Sequence, residues 1–399
     1  MQILDSEKES RIWPLFRLGF RVFFLGGALF ACLAMLLWLL TLSGITVLPG
    51  VSNPIWWHAH EMLFGFTLAI VAGFVLTAMQ NWTGIAGVRG WPLALVSGLW
   101  LLPRLLMPLR GELNPLVIIL DLLWLPLVAG MLARPVLQVK QWRNLFFVPL
   151  FILFTLLNGL SYYAAFSGNW LLAERVFVTT ALALSGLIAV MGGRVIPFFT
   201  ARATGTDKPE PLMWLEKISL GALWLGVLGW LLLPRNSALN GLLAFVLLVA
   251  AVAHFTRLAR WNSKLTLNIP LLWVLHLGYL FVPLGLLALA AALFNWGISV
   301  SLASHWLTAG AMGIVILGMI ARVSLGHSGR PLDIDRPVVL AFVLLILAAL
   351  LRSLLPLLAP GMTNMAYHVS ALAWTSAFGV FSWVYWPILT RPRIDGRPG

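Results

Sequence analysis

Apolar residues run in stretches of roughly twenty along the whole chain, broken by short clusters rich in Pro, Gly, Asn, Lys and Arg. A helix rises ~1.5 Å per residue, so about 20 apolar residues match the ~30 Å hydrocarbon core of a bilayer. Backbone groups in hydrocarbon must bond within the protein, which a helix achieves inside its own segment. A transmembrane barrel would show alternating segments of about ten residues, and none are seen. The pattern predicts an all-α polytopic membrane protein of about 12 transmembrane helices. They fall approximately at 20–43, 58–81, 91–109, 114–133, 145–166, 173–195, 216–234, 239–259, 270–294, 301–325, 336–356 and 364–389. No long linker or low-complexity tract interrupts them, so residues 1–399 read as one transmembrane helical domain. No clear internal repeat is visible, although twelve helices allow a weak six-plus-six relation.

Charge gives these helices a direction. Only 10% of residues are charged, against about 25% in a soluble domain. The net charge of +13 would suggest nucleic acid in a soluble protein, but here the cations sit between apolar runs. With the N-terminus inside, 21 of the 26 Lys and Arg, from Lys8 to Arg397, fall on the cytoplasmic side; Arg104, Arg110, Arg175, Arg235 and Arg352 fall outside. This alternation predicts both termini in the cytoplasm and no nucleic-acid partner. The N-terminal twenty residues carry acids and lead into an apolar run without a cleavage site, so no removable signal peptide is expected. Cys32, the single cysteine, excludes an internal disulfide or a cysteine-ligated cluster. Trp56, Trp57, Trp82, Trp91 and Trp142 stand at segment ends, where an interfacial aromatic belt is expected.

The seven histidines all lie in or at the ends of these spans, where an unpaired polar group is costly. By depth they sort into an outer four, His58, His60, His305 and His368, and an inner three, His254, His276 and His327. His305 and His327 are 22 residues apart, about 33 Å along a helix, so they cannot share one metal. Imidazole ligates haem iron and copper. The outer four suit a haem beside a copper or another metal, and the inner three suit a second haem. Each also has a plainer reading, as a hydrogen-bonded contact between helices or a group facing water. His58 and His60 point about 200° apart on a helix and converge only if the start of the second span is unwound.

Other groups fit the same picture. His305, Met312 and Met319 recur every seven residues and form one helical stripe, with Met312 a soft candidate metal ligand. Gly310, Gly313 and Gly318 leave room for a flat group, or equally for helix packing. Arg194, Arg322 and Arg330 gather at the inner end, where they suit haem propionates or simply the positive-inside rule. Glu61, next to His60, is placed to orient a histidine or carry protons to a metal. Asp121 is expected to pair with Arg104. No Walker A sequence, HExxH, GxSxG or C-x-x-C-H is present, so any haem is non-covalent, of b type.

The strings WHAHEMLFGF (Trp57 to Phe66), PLFRLGFRVFFL, GGRVIPFFT, LWVLHLGYLFVPLG and HWLTAGAMGIVILGMIARVSLGHSGRPL resemble the NnrS family of bacterial membrane proteins over essentially the whole chain. The resemblance implies an inner-membrane location, haem and copper, and a link to denitrification and nitric oxide defence. It covers His58, His60, His276, His305 and His327 closely, and His254 and His368 more loosely. The expectation is a haem–metal protein acting on nitric oxide, in concrete form a nitric oxide reductase-like enzyme. Its metal would sit on His58, His60, His305, His368 and Met312. A haem would sit on His276, His254, His327 and His305, with Arg194, Arg322 and Arg330. Glu61 would deliver protons, and a quinol or similar donor the electrons. The alternatives are a transporter of metal, haem or an NO-derived iron complex, and an NO-binding sensor or buffer.

Overall fold

A computed structural model describes residues 7, 10–45, 48, 50–234 and 236–397. Lys8 and Arg235, both part of the charge alternation, lie outside the described residues. Twelve long helices run through the described chain: α1 Gly19–Leu42, α2 Pro54–Thr83, α3 Trp91–Arg110, α4 Pro115–Gln138, α5 Phe147–Phe166 and α6 Trp170–Thr204. They continue as α7 Met213–Leu232, α8 Ser237–Ala259, α9 Pro270–Leu293, α10 Val300–His327, α11 Arg336–Ser353 and α12 Thr363–Thr390. The first eleven are long and apolar enough to cross a membrane. The twelfth has the length, 28 residues, but spreads Ser, Thr, Tyr and His among its apolar positions.

Local chemistry starts the helices. Asn53 and Asn114 accept hydrogen bonds from the first backbone N–H groups of α2 and α4, each with a proline next. That pairing satisfies orphan donors and pre-sets the backbone. Asn236 and Ser299 cap α8 and α10 in the same way. Because α2 begins at Pro54, His58 and His60 sit inside a regular helical turn and their side chains diverge. Trp56 and Trp57 are core residues, each 2% exposed, not members of an interfacial belt; Trp91 and Trp142 are exposed, as a belt requires.

Two of the helices are interrupted alike. In α2 the α-helical turns end at His60, and Glu61–Thr67 is π-helical. In α10 they end at His305, and Trp306–Met312 is π-helical. A π segment turns the chain less per residue, so the seven-residue stripe of His305, Met312 and Met319 is broken there. Single π turns inside α-helices are frequent at functional positions.

The chain forms two compact units, Met1–Phe177 with Ile320–Leu332 and Phe378–Gly399, and Val178–Met319 with Asp333–Ala377. Within the first, α1 packs on α2: Gly27 meets Ile70, Gly65 meets the Phe30 ring, and Gly73 meets Phe23. Within the second, α9 packs on α10: Gly278 meets Val315, Gly310 meets the Phe281 ring, and Gly318 meets Val274. One constant offset in sequence carries Phe23, Gly27 and Phe30 onto Val274, Gly278 and Phe281. Another carries His60, Gly65, Ile70 and Gly73 onto His305, Gly310, Val315 and Gly318. The chain therefore does contain an internal repeat, a helix pair with a π turn after a histidine. It is nearly silent in the sequence because, of the positions compared, only one histidine, three glycines and one phenylalanine (Phe30 and Phe281) keep their residue type.

Candidate functional site

The first unit buries a connected set of ionisable groups. His60, Glu61 and Asp121 are 0% exposed and Arg104 is 4% exposed. The Arg104 guanidinium donates from Nε to Glu61 Oε2 at 3.0 Å and from Nη1 to Asp121 Oδ1. The expected Arg104–Asp121 pair is thus present, and Glu61 joins it. His60 Nδ1 lies 3.0 Å from Glu61 Oε1, and Nε2 lies 2.9 Å from Asn158 Oδ1 and 3.2 Å from Asp121 Oδ2. Asn158 Nδ2 and Tyr162 Oη both donate to Asp121 Oδ2, at 2.8 and 3.0 Å. That amide orientation leaves Asn158 Oδ1 as an acceptor toward His60. Both imidazole nitrogens therefore face acceptors, and the hydrogen bonds are complete only with a proton on each. The cluster is then neutral overall, two carboxylates against a guanidinium and an imidazolium. Neutrality is what burial of charge requires; among the atoms of this cluster the buried Arg104 Nη2 makes no hydrogen bond.

Aromatic rings wall this cluster. The Trp56 ring stacks on His60 at 4.5 Å between centroids and donates its N–H to the Ser161 carbonyl at 3.1 Å. Phe64 and Tyr162 close two more sides at 5.4 and 5.1 Å. Trp100 donates to the Gly65 carbonyl at 2.8 Å, holding the π segment that carries Glu61. Gly65 is required there: a Cβ would meet Glu61, Phe30 and Arg104 at about 3 Å or less. His58, two residues earlier and about 200° around the helix, stacks on Trp38 at 4.5 Å and belongs to different surroundings from His60.

The second unit holds a network on α7, α8 and α9. Arg257, 2% exposed, grips Glu216 through two hydrogen bonds at 2.8 and 2.7 Å. Its Nη1 donates to Tyr279 Oη at 2.7 Å, and that hydroxyl lies 2.8 Å from His254 Nδ1. Gly192 and Gly193 of the GGR string make room for it, since side chains there would strike Tyr279 and Arg257. The glycines thus serve Arg257, while Arg194 itself is exposed. His276 is held at both nitrogens, by Ser263 at 2.8 Å and Thr200 at 2.9 Å.

The remaining candidates lie apart from these networks. His305 Nδ1 donates to the Ser301 carbonyl at 2.6 Å, and His368 Nδ1 to the Asn364 carbonyl at 2.8 Å. His327 stacks on Phe20 at 5.5 Å, and its backbone carbonyl accepts from Arg393 at 2.7 Å. Met312 is 1% exposed in the π segment. Arg322 is buried at 8% exposure, and Arg330 is half-buried.

Whether these residues suit haem or copper depends on which imidazole nitrogens are already committed. A ligating histidine is ordinarily held through its second nitrogen by a carbonyl or carboxylate. His305 and His368 are held in that manner. His254 is held at Nδ1, while its buried Nε2, facing the Ser219 backbone, makes no hydrogen bond of ordinary geometry. These three suit an axial or metal-ligand role by that criterion, while His327 is held through its ring face and its backbone carbonyl. His60 and His276 have both nitrogens occupied and would have to surrender hydrogen bonds. Among the described residues no three His, Cys, Asp or Glu side chains are grouped as a metal site.

Sequence reading missed Arg257, Glu216, Tyr279, Asn158 and Tyr162. Arg257 and Glu216 look like ordinary charges at helix ends, and the other three look like isolated polar residues in apolar runs. No curated protein matches the chain. The family described as NnrS protein matches over residues 14–393, nearly the whole length, and on that ground this multi-pass helical membrane protein belongs to the NnrS family.

Proposed function

We propose that this chain is a bacterial inner-membrane protein, with both termini cytoplasmic, that acts on nitric oxide as a haem–metal reductase. Two NO would combine with two electrons and two protons to give N2O and water, with a quinol or similar donor supplying the electrons. The observation that carries this reading is the buried His60–Glu61–Arg104–Asp121 network. Ionisable groups inside a membrane span mark proton or substrate paths, and this reduction consumes protons. One or two b haems, with copper or another metal, would supply the redox chemistry when bound. His254, His305 and His368 are the residues suited to hold them, with Arg322 and Arg330 available for propionates.

The protein's own groups have separable tasks. Glu61 accepts from both His60 and Arg104, so it holds a proton donor at a defined oxygen. Asp121 and Asn158 anchor the other side of the imidazole. The aromatic wall keeps water from the cluster, so protons move along hydrogen bonds and not through bulk solvent.

The test begins with the purified chain. Its reduced-minus-oxidised spectrum, pyridine haemochrome and metal content are measured on one sample, before NO consumption and N2O formation with reductant. Haem with a second metal and steady N2O release supports the reading; a haem-free protein after expression with ample haem overturns it. A second reading, transport of a metal, haem or an NO-derived iron complex, is favoured by the two π-interrupted helices, since transporters build sites at broken helices. Uptake into sealed vesicles without N2O formation would favour that reading.

A further inference from the structure

One end of the first unit carries cations without acids. Between Met62 and Gly111, and again between Leu122 and Ala173, the chain contains no Asp or Glu. The turn from α4 to α5 lies inside the second stretch and holds Arg134, Lys140 and Arg143, all exposed. Its backbone is closely folded. The Gln141 N–H donates to the Val136 carbonyl at 3.0 Å and the Asn144 N–H to the Gln141 carbonyl at 2.9 Å, with Lys140 in the left-handed region at φ 55°. The Gln141 side chain donates to the Trp82 carbonyl at the end of α2 and accepts from Asn144 Nδ2 at 2.7 Å. The Trp82 ring in turn stacks on Phe147 at 5.2 Å. The three cations are therefore carried on a braced turn, and Leu137, Val139 and Trp142 stand exposed among them. The turn from α6 to α7 in the second unit mixes the signs instead: Arg202, Lys208 and Lys217 stand beside Asp207, Glu210 and Glu216.

We infer that the α4–α5 turn is a docking surface for anionic phospholipid, with the headgroup phosphates against Arg134, Lys140 and Arg143. The physical reason is charge complementarity at one depth. A turn joining two membrane spans lies where hydrocarbon gives way to headgroups, and an exposed tryptophan such as Trp142 favours that level. Anionic headgroups attract each Lys or Arg held near them, and no carboxylate in this stretch of chain competes for the three cations. Guanidinium groups also match the paired oxygens of a phosphate. Leu137 and Val139 add apolar surface that lies against acyl chains, so one lipid molecule meets both kinds of contact. A zwitterionic lipid supplies the apolar contact without the net charge, and a free phosphate ion the charge without the chains. This surface requires no haem, metal or nitric oxide, and so it stands apart from the reading given above.

The test uses the full-length chain in a neutral detergent at low ionic strength. Thermal unfolding is followed while phosphatidylglycerol, phosphatidylcholine or inorganic phosphate is added stepwise, and native mass spectrometry counts the lipids retained. The expected result is a saturable rise in Tm with phosphatidylglycerol alone, weakened by added salt. In R134Q/K140Q/R143Q the half-saturating concentration should rise about ten-fold or more, with the Tm in phosphatidylcholine unchanged because all three side chains are exposed. The control R202Q/K208Q/K217Q removes as many cations from the second unit and should keep the parent's response. Equal rises with the two lipids overturn the inference, and so does an equal loss in the two triple variants, which would mean that net charge alone matters. A rise with inorganic phosphate that matches phosphatidylglycerol also overturns it, in favour of a free-anion site. Should R134Q/K140Q/R143Q fail to fold, K140Q/R143Q is compared with the control in its place.

Discussion

His60 and His305 each occupy the last α-helical position before a seven-residue π segment, and in each helix the glycine five residues later receives a phenylalanine ring from the neighbouring helix. The residue next in the chain sets the two apart: Glu61 after His60, Trp306 after His305. His60 therefore has a carboxylate beside it, within the neutral His60–Glu61–Arg104–Asp121 cluster, whereas His305 is followed by an indole.

Breaking the first cluster should be severe. Replacing Asp121 by Ala leaves Arg104 and His60 without their shared anion, and breaking a buried pair costs about 3–5 kcal/mol. A D121A chain should unfold at markedly lower temperature in detergent. The double variant R104M/D121L should recover much of that loss, since neither charge then remains unpaired; an R104M/D121L chain as unstable as D121A would contradict the pairing argument.

Glu61 can be separated from cofactor binding. An E61Q chain keeps the shape and most hydrogen bonds of the cluster. It should retain full haem content but lose roughly 10²-fold or more of NO turnover, the scale of a lost proton-transfer group. Unchanged turnover would remove Glu61 from the proton path.

His305 is the sharper test of the haem. H305A should delete one haem signal from the reduced-minus-oxidised spectrum while H60A, whose ring is already bonded at both nitrogens, should act chiefly on stability. Intact haem content in H305A would end its role as a ligand.

Glycine positions offer a contrast between packed and open sites. A methyl on Gly310 or Gly65 would overlap neighbouring side chains, whereas Gly98 and Gly221 have nothing within 4 Å. Overpacking costs about 1–3 kcal/mol, so G310A and G65A should lower Tm and G98A and G221A should not. Equal effects in all four would show that helix propensity, not contact, governs them.

The C-terminal segment should tolerate acid. Arg393 donates to both Asp395 oxygens and to the His327 carbonyl, and the hydrogen bonds from Arg393 hold the Asp395 carboxyl below the usual carboxylate range. A depressed folded-state pKa contributes stability above the unfolded value, lost only as pH falls through the folded one. Protease protection of residues after Thr390 should therefore persist through about pH 4, the ordinary carboxylate range, and D395N should lose it at neutral pH.

Hydropathy alone determined the class, the number of helices and most of their limits, because lipid forces each span to satisfy its own backbone. The Arg104–Asp121 pair was legible as two charges that lipid would not accept singly, whereas the Asn53–Pro54 start of α2 lies four residues before the limit that hydropathy gave. The fate of each histidine was decided by tertiary structure. A polar side chain reaches only a few ångströms, so its partner is set by which helix faces it. Nothing within α2 says that Asn158 and Asp121 will occupy His60, or that Tyr279 will meet His254. The π turns were hidden for a related reason: they are held by packing at Gly65 and Gly310 against rings on other helices, and residue type along one helix does not encode that contact.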